Sequence, residues 1–301
     1  MSSTQRHVDG FDLHVDVWPG GDRAHVLLLH GLGGNSVTWH GVAPGLAERL
    51  GARVVAVDLP GFGLTRPLGR RVGMSLFTRL LLELMQAEAP AGTRWIVAGN
   101  SLGGALSLEL AGQAPERIAG ISLIALSLPL LWGRGFAGLW ALASWVPAAV
   151  PWLGQRLIAN YMQKTGLPGV VDEPIRALFA EPSRLDPILR ERLLRVSGNR
   201  LGWVKEAARA YEEATRSLGI ELLRPSGIAR RIRELRCPVQ VIHGGRDPIF
   251  AGAAWQALER VRPDWEYVAL PDVGHVPQLE VPLEVTAALV GFSERCGARS
   301  A

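Results

Sequence analysis

The sequence of 301 residues predicts an α/β fold, with a doubly wound, mostly parallel β-sheet and a helical insertion after the strand that ends near Leu126. Apolar runs rich in β-forming residues alternate with helix-compatible segments, which is typical of βαβ units. Most of these runs are nearly continuous, as in strands buried on both faces. The alternation stops at residue 127 and resumes near residue 236. We therefore expect a core of residues 1–126 and 236–301 and a helical cap, residues 127–235.

Each predicted element has a local signal. Residues 8–17 alternate apolar and polar around Asp9-Gly10, which predicts a hairpin at a sheet edge. Ser75 is expected to cap the helix that it begins, and Pro115 to close the helix before it. The other strands are predicted at 24–29, 53–57, 95–99, 118–126, 238–243 and 265–270, and the main core helices at 37–50, 75–89, 102–113, 251–261 and 282–295.

Composition excludes several function classes. The chain is 48% hydrophobic and 20% charged with a formal net charge of +4, and it has no basic block interleaved with aromatic residues, so we expect no nucleic-acid partner. The two cysteines, Cys237 and Cys296, lie in no metal-binding or disulfide pattern, and we expect no metal and no cofactor. The first residues lack the apolar core of a signal peptide, which predicts a cytoplasmic protein. The sequence does not indicate an oligomeric state.

The chemistry is concentrated where strands are predicted to end. The segment from Gly99 to Gly103 reads Gly-Asn-Ser-Leu-Gly, a G-x-S-x-G pattern between an apolar strand and a helix. In that context the pattern is typical of a nucleophile elbow, a strained turn that exposes a serine where the following helix begins. The alternative is an ordinary glycine turn. We expect Ser101 to be the nucleophile.

A serine needs a base to take its proton, and the base needs a carboxylate to orient it. Ser101, Asp247 and His275 occur in the order that this topology requires, each after a predicted strand. Asp272 is an alternative acid, although it is too near His275 in sequence to reach the far ring nitrogen easily. The other two strand-end histidines are expected to be structural: His30 as a loop brace and His243 as a satisfied core residue.

These motifs resemble the α/β-hydrolase superfamily, in its serine-hydrolase branch with an inserted helical cap, over about residues 11–292. His30-Gly31-Leu32-Gly33-Gly34 is similar to the H-G-x-G loop of that family. The resemblance implies that the backbone N–H groups of Leu32 and Leu102 form an oxyanion hole. A serine at position 101, rather than an aspartate, argues against the dehalogenase and epoxide hydrolase branches.

Asn100 leaves a second activity open. The triplet Gly-Asn-Ser is similar to that of carbon–carbon bond hydrolases acting on ring-cleavage products, although Val276 replaces the tryptophan that usually follows the histidine there. A binding protein that keeps the triad and senses a small molecule is a further alternative. The sequence is identified foremost as an esterase-like or lipase-like serine hydrolase that forms an acyl-enzyme intermediate.

The start of the cap suggests the substrate. Its tryptophans, of which Trp132, Trp140 and Trp145 are the predicted pocket residues, make this segment strongly apolar and indicate a small hydrophobic ester. The alternative is that they only pack the cap onto the core. The same face could make peripheral contact with lipid or a membrane. Later in the cap, the segment from Arg176 to Arg236 contains fourteen basic and eight acidic residues. We interpret most of the basic residues as a solvated surface.

Overall fold

The computed structural model of the protein describes residues 1–126, 151–224, 227–250 and 252–298. Trp132, Trp140 and Trp145 lie outside these ranges, so their place in a pocket stays a prediction. Seven strands form one sheet in the described ranges: β1 Ser2–Val8, β2 Phe11–Leu29, β3 Ala52–Val57, β4 Trp95–Asn100, β5 Ile118–Ile124, β6 Val239–Gly244 and β7 Glu266–Leu270.

Ten helices accompany the sheet in the described part of the chain. They are α1 Ala43–Leu50, α2 Met74–Glu88, α3 Leu102–Gln113, α4 Pro151–Leu178, α5 Pro187–Leu201, α6 Val204–Leu223, α7 Ile228–Glu234, α8 Gly252–Val261, α9 Pro277–Glu280 and α10 Pro282–Ala298, with short 3₁₀ turns at Ser36–Trp39, Pro115–Arg117 and Pro182–Arg184. α4 bends at Gly166, whose φ of 62° is not helical.

The predicted edge hairpin is present. β1 and β2 pair in antiparallel fashion, and the turn between them is made by Asp9 and Gly10, both with positive φ. Two consecutive residues with positive φ are characteristic of the tight turns that match the twist of paired strands.

β2 runs along both sides of β3. In its first limb, residue 15 lies opposite residue 57 and residue 18 opposite residue 54, which is the antiparallel sense. In its second limb, residue 26 lies opposite residue 54 and residue 29 opposite residue 57, the parallel sense. The turn between the limbs contains Gly20 and Gly21. The sheet therefore behaves as eight strands, and β3 lies between the two limbs of β2.

The second limb of β2 continues the sheet through β4, β5, β6 and β7, all parallel. Apolar side chains cover both of its faces. One face packs mainly against α2, α3 and α7, and the other against α1 and α10. The prediction of a doubly wound, mostly parallel sheet is confirmed.

Two predicted helix starts are wrong. The segment predicted as one helix over residues 37–50 is a 3₁₀ turn followed by α1. Asn35 begins the turn, because its Oδ1 accepts the Val37 N–H at 3.0 Å, and Pro44 is compatible only with the first turn of α1. Ser75 does not cap α2: the helix begins at Met74, whose N–H donates to Ser217 Oγ at 3.0 Å from α6.

Helices α4, α5 and α6, which lie between β5 and β6 in sequence, pack on one another, consistent with a cap. α7 instead packs against α3, and its Ile228 and Ile232 are fully buried in the core of the sheet. The exact cap boundary at residue 235 stays a prediction. Within the described ranges, no helix combines the length and the apolarity needed to cross a membrane.

Candidate active site

The predicted triad residues all follow parallel strands at their carboxyl ends. Ser101 directly follows β4, while Asp247 and His275 lie in the loops after β6 and β7. Because β4, β5, β6 and β7 are consecutive neighbours in the sheet, these loops emerge along one edge. In open α/β sheets that edge is where ligands bind.

The elbow, residues 99–103, holds Ser101 in a strained conformation with φ 53° and ψ −108°. The Ser101 N–H donates to the Ile124 carbonyl at 2.9 Å, which fixes the turn to the neighbouring strand. A Cβ on Gly99 would lie 2.1 Å from the Gly103 carbonyl oxygen, and a Cβ on Gly103 would lie 2.3 Å from the Leu29 carbonyl oxygen. Only glycine fits at these two positions without displacing backbone.

His275 and Asp247 are bonded to each other. His275 Nδ1 lies 2.8 Å from Asp247 Oδ2, and both side chains are buried. Asp247 Oδ1 accepts the N–H groups of Ile249 and Phe250 at 2.7 and 3.1 Å. The carboxylate is therefore fixed at both oxygens. As the acceptor, it assigns the ring proton of neutral His275 to Nδ1 and leaves Nε2 able to take a proton.

The loop that carries His275 is fastened to the end of α4. The His275 N–H donates to the Leu178 carbonyl at 2.7 Å. The buried Glu280 carboxylate accepts the N–H groups of Gly274, Ala180 and Glu181, at 2.8, 3.2 and 3.0 Å. One side chain thus joins the histidine loop to the chain that leaves α4. Sequence reasoning assigned no role to Glu280, because a lone glutamate five residues after a histidine gives no sign that it is buried.

Asn100 connects the elbow to the same loop. Its side-chain amide donates to the His275 carbonyl at 3.0 Å and to the Ile124 carbonyl at 3.3 Å. The residue is buried, and both amide hydrogens have a backbone acceptor. This side chain therefore holds the elbow, the end of β5 and the histidine loop together.

The loop of residues 30–34, which we call the oxyanion loop for its predicted role, passes beside the elbow. A Cβ on Gly31 would lie 2.9 Å from Asn100 Oδ1 and 3.4 Å from Ser101 Cβ. The loop turns by a bond from the Gly34 N–H to the Gly31 carbonyl at 3.0 Å, with Gly33 at φ 80°. Leu32 is at the centre of this turn, and Leu102 is the first residue of α3, where N–H groups lack helical partners. Their role as oxyanion donors stays a prediction.

His30 braces that loop. Its Nε2 accepts the Leu59 N–H at 3.1 Å and its Nδ1 donates to the Gly31 carbonyl at 2.7 Å, so both nitrogens are used. Burial lowers the pKa of His30, and the opposing negative charge of Asp58 and the bond to Gly31 do not offset it. A neutral ring with both nitrogens engaged is not available as a base.

Asp272 and His243 lie apart from this arrangement. Asp272 is exposed, and the ring of His275 is bonded to Asp247 instead. His243 stacks on Trp255 with ring centroids 4.7 Å apart. The expectation that His243 is a satisfied core residue is wrong in one respect, because its buried Nδ1 has no hydrogen-bond partner in the described part of the chain.

Comparison with known proteins agrees with this geometry. A family model described as the alpha/beta hydrolase fold matches residues 24–282. Among curated relatives, the acetyltransferase component of an acetoin cleaving system from Pseudomonas putida is 28% identical over 89% of this chain, which spans 62% of that protein. A pimeloyl-[acyl-carrier protein] methyl ester esterase from Nitrosomonas europaea is 28% identical over 90% of this chain and 95% of its own length.

Solved structures share the fold. A thermophilic esterase from Thermogutta terrifontis superposes with a TM-score of 0.74 at 22% identity, covering 99% of this chain and all of that one. A meta-cleavage product hydrolase superposes equally well, with a TM-score of 0.74 at 18% identity over 97% of this chain and 98% of that one. At these identities the likeness concerns the fold alone.

Proposed function

Because the chain belongs to the α/β-hydrolase fold family, which the match over residues 24–282 establishes, we propose that it is a serine hydrolase of carboxylic esters. The observation that carries the proposal is the elbow with Ser101 at φ 53°, next to a loop in which Asp247 Oδ2 orients His275 at 2.8 Å. The esterases among its relatives support the same reaction class.

In this proposal Ser101 Oγ attacks the ester carbonyl while His275 Nε2 takes its proton. The Leu32 and Leu102 N–H groups donate to the oxyanion of the tetrahedral intermediate, and the amino terminus of α3 favours the same negative charge. His275 then returns the proton to the leaving alcohol, which gives an acyl-enzyme. Water activated by His275 hydrolyses that ester, and Asp247 stabilises the imidazolium in both halves of the reaction.

We propose a hydrophobic acyl group as the substrate's main feature. The half-buried ring of Phe250 lies 5.9 Å from that of His275, so an apolar surface flanks the base. The relative from Nitrosomonas europaea is named for the methyl ester of a pimeloyl chain on acyl-carrier protein, which supports an acyl ester without fixing its length.

An active-site label tests the nucleophile. A fluorophosphonate probe should modify Ser101 alone, because the proposed base and oxyanion donors activate that hydroxyl. Mass spectrometry of the labelled peptide identifies the site, and Ser101→Ala should abolish labelling. The buried Ser107, bonded to the Gly103 carbonyl at 2.9 Å, is an internal negative control. A label elsewhere, or none on folded protein, contradicts the proposal.

Turnover separates the alternatives. Hydrolysis of p-nitrophenyl esters should rise with acyl length, about fourfold in kcat/KM per buried methylene, until the pocket is filled. A sensor that keeps the triad would turn over none of them. A carbon–carbon bond hydrolase would instead cleave a ring-cleavage product at least as efficiently as the best ester.

A further inference from the structure

Arg200 is a buried cation of the cap. It is the penultimate residue of α5 and only 5% exposed, although it belongs to a stretch that sequence analysis interprets as a solvated basic surface. Its Nη1 donates to the Gly33 carbonyl at 3.4 Å, a long bond, and its guanidinium lies 5.5 Å from the ring of Phe62. Among the residues that the structure describes, its buried Nε has no hydrogen-bond partner.

No carboxylate of the described residues forms an ion pair with Arg200. Other arginines do pair with a buried glutamate, among them Arg53 with Glu88, Arg184 with Glu280 and Arg231 with Glu109. Removing a cation from water is costly unless it is paired and hydrogen-bonded, so an unpaired buried guanidinium needs an explanation.

The nearest negative charges do not complete the site. Burial lowers the pKa of Arg200 to about 10, and the opposing influences of Tyr211 and Asp58 only partly offset it. Asp58 already accepts the Ser36 and Leu64 N–H groups, at 2.6 and 2.8 Å. Arg200 is therefore protonated at neutral pH and retains donors without a strong acceptor.

Arg200 lies beside the loop that carries the expected oxyanion donor. Gly33 adjoins Leu32, the expected oxyanion donor, and a Cβ on Gly33 would lie 3.2 Å from the Tyr211 ring. Arg200 and Tyr211 thus approach the oxyanion loop from two different cap helices. Burial raises the pKa of Tyr211, so its hydroxyl stays neutral and can donate. The guanidinium of Arg200 and the ring of Tyr211 therefore both lie next to this loop.

We propose that Arg200 binds a carboxylate on the acyl part of the substrate, so that the preferred ester is a half-ester of a dicarboxylic acid. The guanidinium offers a planar pair of donors that matches a carboxylate, and a single charged group of this kind is how a mostly apolar pocket fixes orientation. The inference rests on the proposed esterase activity and deepens it by naming the substrate class.

The test compares two matched substrate series on the wild-type protein. Monoethyl esters of dicarboxylic acids with four to eight carbons are assayed against the same esters in which a carboxamide replaces the free carboxylate, and ethanol release is measured. We expect kcat/KM to favour the acid over the amide about 10- to 100-fold at the best chain length. An amide hydrolysed as fast as the acid at every length overturns the proposal, whatever the variants do.

Variants locate the effect. Arg200→Gln should reduce the acid-to-amide ratio to about one, and Arg200→Lys should retain part of the preference as a point charge. Arg195→Gln is the matched control, because that side chain is on the same helix and 76% exposed. An equal loss for both series, with a lowered Tm, assigns Arg200 a structural role and contradicts the proposal. Absence of turnover together with absence of Ser101 labelling contradicts the esterase function itself.

Discussion

The core loops and the cap hold the candidate site by different means. In the core, backbone contacts fix the elbow. The Ser101 N–H donates to the Ile124 carbonyl, and Gly99 and Gly103 let neighbouring backbone approach more closely than any side chain would permit. The cap meets the core through contacts between residues distant in sequence instead, as where Glu213 accepts the Val72 N–H at 3.0 Å and the Leu178 carbonyl accepts the His275 N–H at 2.7 Å. The reacting groups therefore depend on local chain geometry, and the cap's contribution depends on contacts between distant residues.

The largest expected effect is a loss of kcat on substitution of a residue in the core loops. Asp247→Asn should lower kcat roughly 10⁴-fold, as loss of the orienting carboxylate does in serine proteases, because an amide there no longer selects the Nδ1 proton on His275. The measurement is steady-state hydrolysis of an activated ester. Asp272→Asn is the matched control, since Asp272 is exposed, and it should stay close to wild type. An inactive Asp272→Asn with an active Asp247→Asn would reverse the assignment of the acid.

A pair of glycine substitutions tests the backbone argument directly. Gly99→Ala should lower the free energy of unfolding by about 3 kcal/mol, because its Cβ would meet the Gly103 carbonyl oxygen at 2.1 Å. Gly198→Ala in α5 should instead raise it by about 0.5–1 kcal/mol, since alanine favours the helix and the nearest atoms are 3.7 Å away. Urea unfolding of both variants measures the difference. Equal effects would mean that the elbow tolerates a side chain.

The same difference explains what the sequence could predict. The mostly parallel sheet and the strand-end positions of Ser101 and His275 follow from apolar runs and turn residues a few positions apart. The partner of Met74 could not be predicted, because Ser217 is 143 residues away. The burial of Arg200 could not be predicted for a related reason: the sequence indicates that most arginines of residues 176–236 are solvated, but arginine composition carries no information on which single side chain turns inward.

The seam between core and cap should show an intermediate effect. Glu280→Gln replaces a buried carboxylate that accepts three backbone N–H groups, and its amide nitrogen would face donors. We expect a loss of about 2 kcal/mol in the free energy of unfolding. Because His275 shares this loop, kcat should fall more than KM rises. Glu294→Gln, at an exposed position of α10, should change neither quantity. If Glu280→Gln is destabilised but has a normal kcat, Glu280 stabilises the fold without positioning His275.

The smallest effect concerns a buried acid that links the core edge to the cap. Asp16 Oδ2 accepts from Ser36 Oγ and His40 Nε2, both at 2.8 Å, and His40 Nδ1 in turn accepts from Arg192 of α5 at 2.9 Å. Burial alone would raise the pKa of Asp16, but its hydrogen bonds, first of all that with His14, outweigh burial and lower it well below the usual range. The resulting carboxylate is a permanent negative charge at neutral pH.

This charge acts on His14, whose Nε2 lies 3.4 Å from Asp16 Oδ1. Burial alone would lower the pKa of His14, but the hydrogen bond with Asp16 and the charges of Asp58 and Asp16 raise it above 6.5. Protonated His14 thus stabilises the folded state below the unfolded pKa, and this contribution is lost as the pH rises through the folded pKa. His14→Gln should be destabilising at about pH 5.5 and nearly neutral at about pH 9. Urea unfolding at both pH values measures this, with His7→Gln, at a ring 74% exposed, as the control. If His14→Gln lowers the free energy of unfolding equally at both pH values, His14 contributes through packing and not through its charge. The link from this edge of the core to the cap would then consist of His40 and Arg192.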